Sequence, residues 1–578
     1  MSTRSSQAVA TRAKLPLTIA QSNIFQRALK LHQQGELAQA ETLYEAVLKR
    51  EPRHLQANYL LGIIGSQTAR PQLAVERIGQ YLKSQPNDYQ AQSVMALACF
   101  DLGDYAASAN LFERALQLFP NSGHTWFNLG KARFALAQHE QAITAFERAL
   151  TLDPDFIDSA IGKANAEREL KWHEVALLTL ETAILKQPYR SELHFHYGNL
   201  MRDLGDLEAA LDAYGAAVTL DHEYRDAWIN YASTCKDLDR IPEALDAYDR
   251  ALAMDPDHAD ANYNKSLALL SSLQLDKGWP LYERRLDSET GQRKFLGSQR
   301  IRVAPDWYGQ SVPASLLVMG EQGLGDQIFF SSMLPDLQAH VPGATVCVET
   351  RLVPLLQRSF PGLRFIDGSR LHDQAYDAQV YLGSLGAIYR PDLVSVECAQ
   401  AAYLQADTEH SARRRLQLKK PGKLLCGLSW VSKNMDCGEG KSLTLRELLP
   451  VLGQSGIEFI DLQYGDTEAE RADLEQQLGL GIRHLDDLDC TRDIDGLAAL
   501  IAACDIVVTV SNTTAHLAAA LGKPVIVMLP DTPSLFWYWH GRGLKSPWYP
   551  TACLFRKSDT SHWGPVIDAV ALTLAGLQ

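Results

Sequence analysis

A glycine-rich turn in the second half of the chain has the composition of a ligand-binding loop. The turn, GEQGLGD at residues 320–326, follows a predicted strand and opens a predicted helix. Glycines such as Gly323 and Gly325 let a ligand approach the backbone closely, and the start of a helix can face negative charge. The two carboxylates, Glu321 and Asp326, are of the type that takes a proton from a hydroxyl group. The spacing is not that of a dinucleotide-binding motif, and Asp326 could instead cap the helix.

A second turn, SNTTAH, also joins a predicted strand to a predicted helix. It contains Ser511, Asn512, Thr513, Thr514 and His516. Its hydroxyls and backbone N–H groups could hold a diphosphate, while His516 could transfer a proton. The alternatives are a simple helix cap by Ser511 or Asn512 and a packing role for His516.

These turns lie in a region where short apolar runs alternate with helical patterns. The alternation starts at SLLVMG and begins again at KLLCGLSW, which predicts two α/β lobes with parallel sheets, at residues 313–420 and 421–578. Two such lobes imply a cleft between them. Ser429 and Gln463 end strands that point at this cleft, so they either contact a nucleotide or have turn roles. The aromatic stretch from Trp537 to Tyr549 could meet a sugar or pack the lobe.

The first half of the chain contains a repeat of 34 residues. One slot of the repeat holds Pro52, Pro86, Pro120, Pro154, Pro188, His222 and Pro256. A small residue and, four positions later, a large one recur at fixed offsets from this slot, as Ala142 and Phe146 do. The pattern predicts two antiparallel helices per unit, with close contact at the small residue and a helix end at the proline. We expect a disordered tail at residues 1–21, about seven to eight repeats at 22–287 and a linker at 288–312.

The repeat resembles the tetratricopeptide repeat, and the segment HTWFNLGKARFALAQHEQAITAFERALTLDP follows that pattern almost throughout. The resemblance implies a helical solenoid whose groove holds a peptide or a partner's helix. The final segment, KGWPLYERRL, is atypical and should cap the stack and pack on whatever follows. One slot of the first helix holds Asn128, His196, Asn230 and Asn264, similar to a broken version of the asparagine ladder of O-linked N-acetylglucosamine transferase. Such side chains can bind the backbone of an acceptor protein, although they could equally be solvated groove residues.

The motifs of the second half resemble, in their order, those of bacterial proteins that join tetratricopeptide repeats to a glycosyltransferase family 9 domain. These motifs are GEQGLGDQIFFSSMLPDLQ, GKSLTLRELLPVL, DLQYGD, SNTTAHLAAALGKPVIVMLP and SPWYPTACLFRKSDTSHW. The resemblance implies the two-lobed GT-B fold, with the acceptor side in the first lobe and the nucleotide-sugar side in the second. It places Asp326 at the position of a general base, with Glu321 as the alternative, and Lys441 near a donor-phosphate lysine. The SNTTAH turn falls at a donor-binding helix start, where the heptosyltransferases usually have Asp-Thr in place of its first two residues, so the donor could differ.

We therefore predict a glycosyltransferase that moves a sugar from a nucleotide-sugar co-substrate to Ser or Thr hydroxyls of an acceptor protein recruited by the repeats. Flagellin is one candidate acceptor, because the resemblance includes bacterial flagellin glycosyltransferases. We expect inverting transfer with no metal and no further cofactor, and His516 joins the candidate catalytic residues. The expected donor-binding residues are Gly323, Gly325, Ser429, Lys441, Gln463, Ser511, Asn512, Thr513 and Thr514. The alternatives are a polysaccharide or lipid-linked acceptor, and a scaffold whose transferase lobes no longer catalyse.

Charge and composition exclude several other classes. The chain has 55 Lys and Arg residues against 69 Asp and Glu residues, a formal net charge of −14, which argues against bulk attraction to nucleic acid or anionic lipid. Its 9 cysteines are dispersed with no CxxC pair, as expected for reduced thiols in a cytoplasmic protein. No apolar stretch reaches the roughly 18 residues of a membrane span, so we predict none.

Overall fold

The structure of the protein, a computed structural model, describes residues 19–289, 291, 301–433, 438–530, 536–539, 543–557 and 562–577. It divides into two compact units, residues 1–227 and residues 228–578. Most of the predicted tail and part of the predicted linker lie outside the described residues. The predicted domain limits therefore stay predictions.

Sixteen helices build the repeats in the described part of the chain. They are α1 (Ile19–Gln33), α2 (Leu37–Arg50), α3 (Leu55–Gln67), α4 (Pro71–Leu82), α5 (Tyr89–Asp101), α6 (Tyr105–Leu118), α7 (Gly123–Ala135), α8 (His139–Leu152), α9 (Ile157–Glu169), α10 (His173–Lys186), α11 (Ser191–Asp203), α12 (Leu207–Leu220), α13 (Arg225–Asp237), α14 (Ile241–Met254), α15 (Ala259–Ser271) and α16 (Leu275–Tyr282). The proline or histidine slot lies within four residues of the end of every second helix from α2 to α14. The predicted helix ends are thereby confirmed.

Packing between paired helices explains the small and large slots of the repeat. Ala142 in the small slot is fully buried, and Phe146 in the large slot is 1% exposed. A Cβ atom on Gly130 or on Gly162 would lie 2.6 Å from the ring of Phe146, so glycine is needed where these two helices approach the ring. The predicted close contact between small and large residues is confirmed.

Two parallel sheets follow the repeats, both in the second unit. The first has the order β3-β2-β1-β4, with β1 (Leu316–Met319), β2 (Thr345–Cys347), β3 (Arg364–Ile366) and β4 (Ala378–Tyr381). The second has the order β6-β5-β7-β8-β9, with β5 (Leu424–Ser429), β6 (Ile457–Asp461), β7 (Ile506–Val510), β8 (Val525–Leu529) and β9 (Ala552–Arg556). Every residue of β1, β7 and β8 is buried, as expected of parallel strands covered on both faces.

Twelve further helices accompany these sheets in the described part of the chain. They are α17 (Leu324–Phe330), α18 (Leu334–His340), α19 (Val353–Ser359), α20 (Leu385–Tyr389), α21 (Leu393–Glu397), α22 (Thr408–Leu418), α23 (Gly438–Lys441), α24 (Leu449–Leu452), α25 (Glu468–Leu478), α26 (Ile494–Ala503), α27 (Thr513–Ala520) and α28 (Gly564–Ala575). Among the described helices, none combines the length and the apolar character that crossing a membrane requires. The predicted fold class, helical repeats followed by two α/β lobes of the GT-B type, is confirmed.

The last repeat helix, α16, packs on the first sheet domain, as its atypical sequence predicted. The indole N–H of Trp279 donates a hydrogen bond of 2.7 Å to the carbonyl of Arg390. A Cβ atom on Gly386 would lie 2.4 Å from the Trp279 ring, so the indole lies directly against the backbone of α20. The last repeat helix and the first α/β lobe are therefore joined by a buried contact within the second unit.

Two elements of the second half differ from the sequence expectation. Within the region of predicted helical patterns, the segment TLRELLPVL is α-helical only at Leu449–Leu452. Helix α22 was not predicted at all. It is held by the Asp407 carboxylate, which accepts the N–H of His410 at 2.7 Å, and by the ion pair of Arg415 with Asp505 at 2.6 Å.

Candidate active site

Asp326 lies in the first turn of α17, after the loop that follows β1. Its Oδ1 accepts a hydrogen bond of 2.9 Å from the hydroxyl of Tyr538, and its Oδ2 accepts one of 3.2 Å from the N–H of Gly323. Burial raises the pKa of Asp326 to about 6, although the two hydrogen bonds and the charge of Lys441 oppose this shift. Asp326 is thus ionised at neutral pH and takes up a proton in mild acid. Gly323 is the N-cap residue of α17, and Asp326, at the third helical position, accepts its N–H, so Asp326 supports the helix start without being the N-cap itself.

Glu321 is occupied by a buried ion pair. Its two carboxylate oxygens accept hydrogen bonds of 2.9 and 2.6 Å from the guanidinium group of Arg285, and neither side chain is exposed. Its Oε1 also accepts the N–H of Gly383 at 2.8 Å. The next residue, Gln322, has a positive φ of 63° and donates a hydrogen bond of 2.7 Å to the hydroxyl of Tyr282. The segment that ends the repeats therefore holds the turn that leads into α17.

The two predicted turns meet at Gly325 and His516. A Cβ atom on Gly325 would lie 2.9 Å from Cδ2 of His516, so a larger residue at this position would collide with the imidazole ring. The His516 side chain is 3% exposed, and its Nδ1 lies 2.9 Å from the hydroxyl of Tyr549. Burial and the charge of Lys441 lower the pKa of His516 to about 3. His516 is therefore neutral at physiological pH and packs where α17 and α27 touch.

Lys441 ends the short helix α23 and is fully buried. Its ammonium nitrogen lies 4.0 Å from the centroid of the Phe536 ring. The Phe536 ring stacks on Tyr538 with centroids 5.4 Å apart, and Tyr538 donates its hydrogen bond to Asp326. Contacts through Phe536 and Tyr538 thus link Lys441 to Asp326, and the charge of Lys441 lowers the pKa of both Asp326 and His516.

Ser429, Gln463 and Asn512 come together where β5, β6 and β7 end. Oε1 of Gln463 accepts hydrogen bonds from the Ser429 hydroxyl at 3.0 Å and from the N–H groups of Trp430 and Val431 at 2.8 Å. The amide of Asn512 donates to the Ser429 hydroxyl at 2.8 Å and to the carbonyl of Val431 at 3.2 Å. The three side chains thus form an internal network that fixes the strand ends, which is the turn role that the sequence left open.

The start of α27 is capped by its own Asn512. Oδ1 of Asn512 accepts the N–H groups of Thr514 at 3.0 Å and of Ala515 at 3.3 Å. Ser511 is buried and Thr513 is half-buried. The hydroxyl of Thr514 is buried, and no hydrogen-bond partner for it is found among the residues that the structure describes. The capping alternative is confirmed for Asn512.

Sequence reasoning missed Tyr538, which lies inside the aromatic stretch. Its ring stacks on Phe329 with centroids 4.7 Å apart and meets the His516 ring edge-on at 5.2 Å. Trp537 and Trp539 on either side are buried. The stretch packs the site, as one of the two interpretations predicted, and its tyrosine hydroxyl reaches the candidate base. The sequence of an aromatic stretch does not show whether a tyrosine hydroxyl within it donates a hydrogen bond to a site residue.

The four predicted acceptor-groove residues occupy the same place, the sixth residue, in α7, α11, α13 and α15. Asn128 and His196 belong to the first unit, and Asn230 and Asn264 belong to the second. All four are half-buried. Burial lowers the pKa of His196 to about 4, so this ring is neutral at physiological pH. Binding of an acceptor by these residues stays a prediction.

Comparisons with known proteins agree with this architecture. Residues 446–566 match glycosyltransferase family 9 (heptosyltransferase). Residues 25–68, 89–155 and 236–284 match the tetratricopeptide repeat. The family 9 match includes the SNTTAH turn but does not extend to the GEQGLGD turn.

Protein FlbA of Caulobacter vibrioides is 31% identical over 337 residues, which is 54% of this chain and 54% of that protein. The chain thus spans about half the length of this curated relative. Similar solved structures include yeast Tom70, 20% identical with a TM-score of 0.38, over 49% of this chain and 63% of that chain. A tetratricopeptide repeat protein from Parabacteroides merdae is 15% identical with a TM-score of 0.39, over 44% of this chain and 100% of that chain. This chain contains N-terminal tetratricopeptide repeats and a glycosyltransferase family 9 domain.

Proposed function

We propose that the chain is a glycosyltransferase that moves a sugar from a nucleotide-sugar donor to a Ser or Thr hydroxyl of an acceptor protein. The observation that supports this most is the grouping of Asp326, Lys441 and the start of α27 in one site. A carboxylate of raised pKa, a buried cation and a helix start can together remove a proton and stabilise a leaving phosphate. The family 9 match supports the class of donor, and the repeats support a protein acceptor.

In the proposed reaction, Asp326 takes the proton of the acceptor hydroxyl, and the acceptor oxygen attacks the anomeric carbon of the sugar. The bond between that carbon and the phosphate oxygen breaks, and the nucleotide leaves with the electron pair. Lys441 and the start of α27, including the Thr514 hydroxyl, stabilise the negative charge on the leaving phosphate. Attack from the face opposite the phosphate inverts the anomeric centre, and we propose that the reaction needs no metal ion.

Asp326 is a better candidate base than the two other residues considered. Both oxygens of Glu321 already bind Arg285, so protonation of Glu321 would break a buried ion pair. His516 has a pKa of about 3, which makes it a weak base at neutral pH. The pKa of about 6 at Asp326 lies closer to a working pH near neutrality.

The remaining donor-site residues would act in two ways. Gly323 and Gly325 leave room for a ligand beside the backbone of the first turn of α17. Ser429, Gln463 and Asn512 bind one another, so we propose that they position the backbone at the strand ends and that the nucleotide contacts this backbone. Replacement of Gln463 by Leu should therefore weaken donor binding through loss of local order.

The first test is the thermal stability of the full chain with UDP-, ADP-, GDP- and CMP-sugars. The donor that stabilises the protein is then incubated with flagellin, and the transferred sugar is measured by mass spectrometry of the intact acceptor. We expect Asp326→Asn to bind this donor and to lose transfer by about 100-fold or more, because the general base is removed. Excess chelator should leave transfer unchanged.

Each part of the proposal has an outcome that contradicts it. Full transfer activity in Asp326→Asn would contradict the assignment of Asp326 as the general base. Loss of activity in excess chelator would contradict the metal-free mechanism. Transfer of the sugar to a glycan or lipid-linked acceptor, and never to a protein, would contradict the proposal of a protein acceptor. If no nucleotide sugar stabilises the chain, the transferase lobes serve as a scaffold. If replacement of Asn128, Asn230 and Asn264 by Ala leaves acceptor binding unchanged, these residues do not bind the acceptor.

A further inference from the structure

An apolar stripe is exposed along α10, the second helix of the fifth repeat, and on the residues just before and just after this helix. Its side chains are exposed by 45% at Trp172, 45% at Val175, 64% at Leu178, 85% at Leu185 and 84% at Tyr189. The three aliphatic residues are spaced by three and then seven positions, so they lie on one side of the helix. The stripe lies wholly within the first unit.

The repeat fold does not require apolar residues at these positions. The slot of Leu178 holds Thr42, Glu76, Asn110, Thr144, Asp212 and Asp246 in the other repeats. The slot of Leu185 holds Lys49, Lys83, Gln117, Thr151, Thr219 and Ala253. The slot of Tyr189 holds Arg53, Asn87, Asn121, Asp155, Glu223 and Asp257. Since the other repeats fold with polar or small residues in these slots, the stripe on α10 indicates an interaction surface.

We infer that two copies pair through α10 in antiparallel orientation, about a two-fold axis at the level of Leu180. This arrangement places Val175 level with Leu185 of the second copy, and Leu178 level with Thr182 of the second copy. The same contacts recur on the other side of the axis, as a self-complementary interface requires.

The area of the stripe is sufficient for a dimer. Its five side chains would remove about 600 Å² of surface from water on each copy, or roughly 1,200 Å² in total, which is at the low end for specific interfaces. Interfaces of this size are typical of weak, transient association. Glu174 and Glu181 are exposed beside the stripe, and the chain has a net charge of −14, so an anionic membrane is disfavoured as the occupant.

The test is the mass of the full chain by sedimentation equilibrium between about 1 and 100 µM, a range chosen to bracket micromolar affinity. We expect the mass to rise from that of the 64.1 kDa chain towards twice this value. The variant with Leu178→Asp and Leu185→Thr uses residues that the same slots hold in other repeats, so it should fold normally. Its dissociation constant should rise at least ~100-fold with an unchanged circular dichroism spectrum and melting temperature.

A matched control has the same two changes on other helices. Leu118 and Leu152 are 44% and 42% exposed at the ends of α6 and α8, and Leu118→Asp with Leu152→Thr should leave dimerisation unchanged. A chain that stays monomeric at every concentration overturns the proposal. A dimer that survives the double change on α10, or that is lost equally in the control, also overturns it. Binding to vesicles with phosphatidylglycerol that the α10 variant loses, without self-association, would assign the stripe to lipid instead.

Discussion

Replacement of Asp326 by Asn should stabilise the protein while it abolishes transfer. Folding raises the pKa of Asp326 from 3.8 to about 6, so at pH 7.5 the native state holds a carboxylate that its surroundings disfavour. Two pKa units correspond to about 3 kcal/mol of unfolding free energy. Asparagine has a similar shape and no charge, and partial solvent screening at this half-buried side chain reduces the expected gain to about 1–2 kcal/mol.

The unfolding free energy gained by Asp326→Asn should increase as the pH rises. Because the native pKa is raised, the protonated form of Asp326 supports folding below about pH 4, and this contribution is lost as the pH rises through 6. The advantage of asparagine should therefore be full at pH 7.5, about half as large at pH 5 and absent below pH 4. The assay is urea unfolding of both proteins at pH 7.5 and pH 5, followed by circular dichroism.

Asp407 supplies a control with the opposite sign. Its carboxylate accepts the N–H of His410 at the start of α22, and this hydrogen bond holds the pKa of Asp407 below its usual value. Asp407→Asn should lower stability at pH 7.5, where Asp326→Asn raises it. The reasoning on Asp326 is refuted if Asp326→Asn lowers stability at pH 7.5, or if its gain is equal at both pH values.

Three further predictions concern the contacts around the site. Arg285→Met should lower the unfolding free energy by about 3–5 kcal/mol in urea titration, because Glu321 is left as an unpaired buried charge. Gly325→Ala should lower it by about 1–3 kcal/mol, since the added Cβ meets the closely packed ring of His516. Tyr538→Phe removes the hydroxyl that stabilises the ionised candidate base, so the midpoint of kcat/KM against pH should rise by about one unit.

These predictions have their own controls. Gly368→Ala places a Cβ where nothing lies within 4 Å, and its effect on stability should be much smaller than that of Gly325→Ala. Addition of Glu321→Met to Arg285→Met removes the unpaired charge and should recover most of the lost stability. Wild-type stability in the single Arg285 variant, or an unchanged pH midpoint in Tyr538→Phe, would contradict the assigned contacts.

The repeat half could be predicted because its packing rule is local and recurs. Each helix pair must bring a small residue to a large one at a fixed offset, so every unit gives the same information. Helix α22 escaped prediction because no apolar period marks it, and its Leu416 is 87% exposed. This helix depends on the bond from Arg415 to Asp505, which joins residues 90 positions apart.

The turns of the candidate site could be located from the sequence, but the contacts within them could not. Parallel strands direct their carboxyl ends to one edge of a sheet, so the turns after β1 and β7 could be located from the strand pattern alone. The pairing of Arg285 with Glu321 crosses 36 residues, and that of Ser429 with Gln463 crosses 34. No periodic pattern in a single sequence encodes such contacts, because each occurs once and depends on three-dimensional distance.

The ion pair between Arg285 and Glu321 restricts how genes of this kind can recombine. A crossover at residue 288 would give a descendant with the whole transferase domain but without Arg285, and Glu321 would then be a buried charge with no cation. The smallest inheritable cassette is therefore expected to include Arg285 together with the two lobes. Duplication or loss of repeats during evolution should accordingly leave the segment with Arg285 attached to the first lobe.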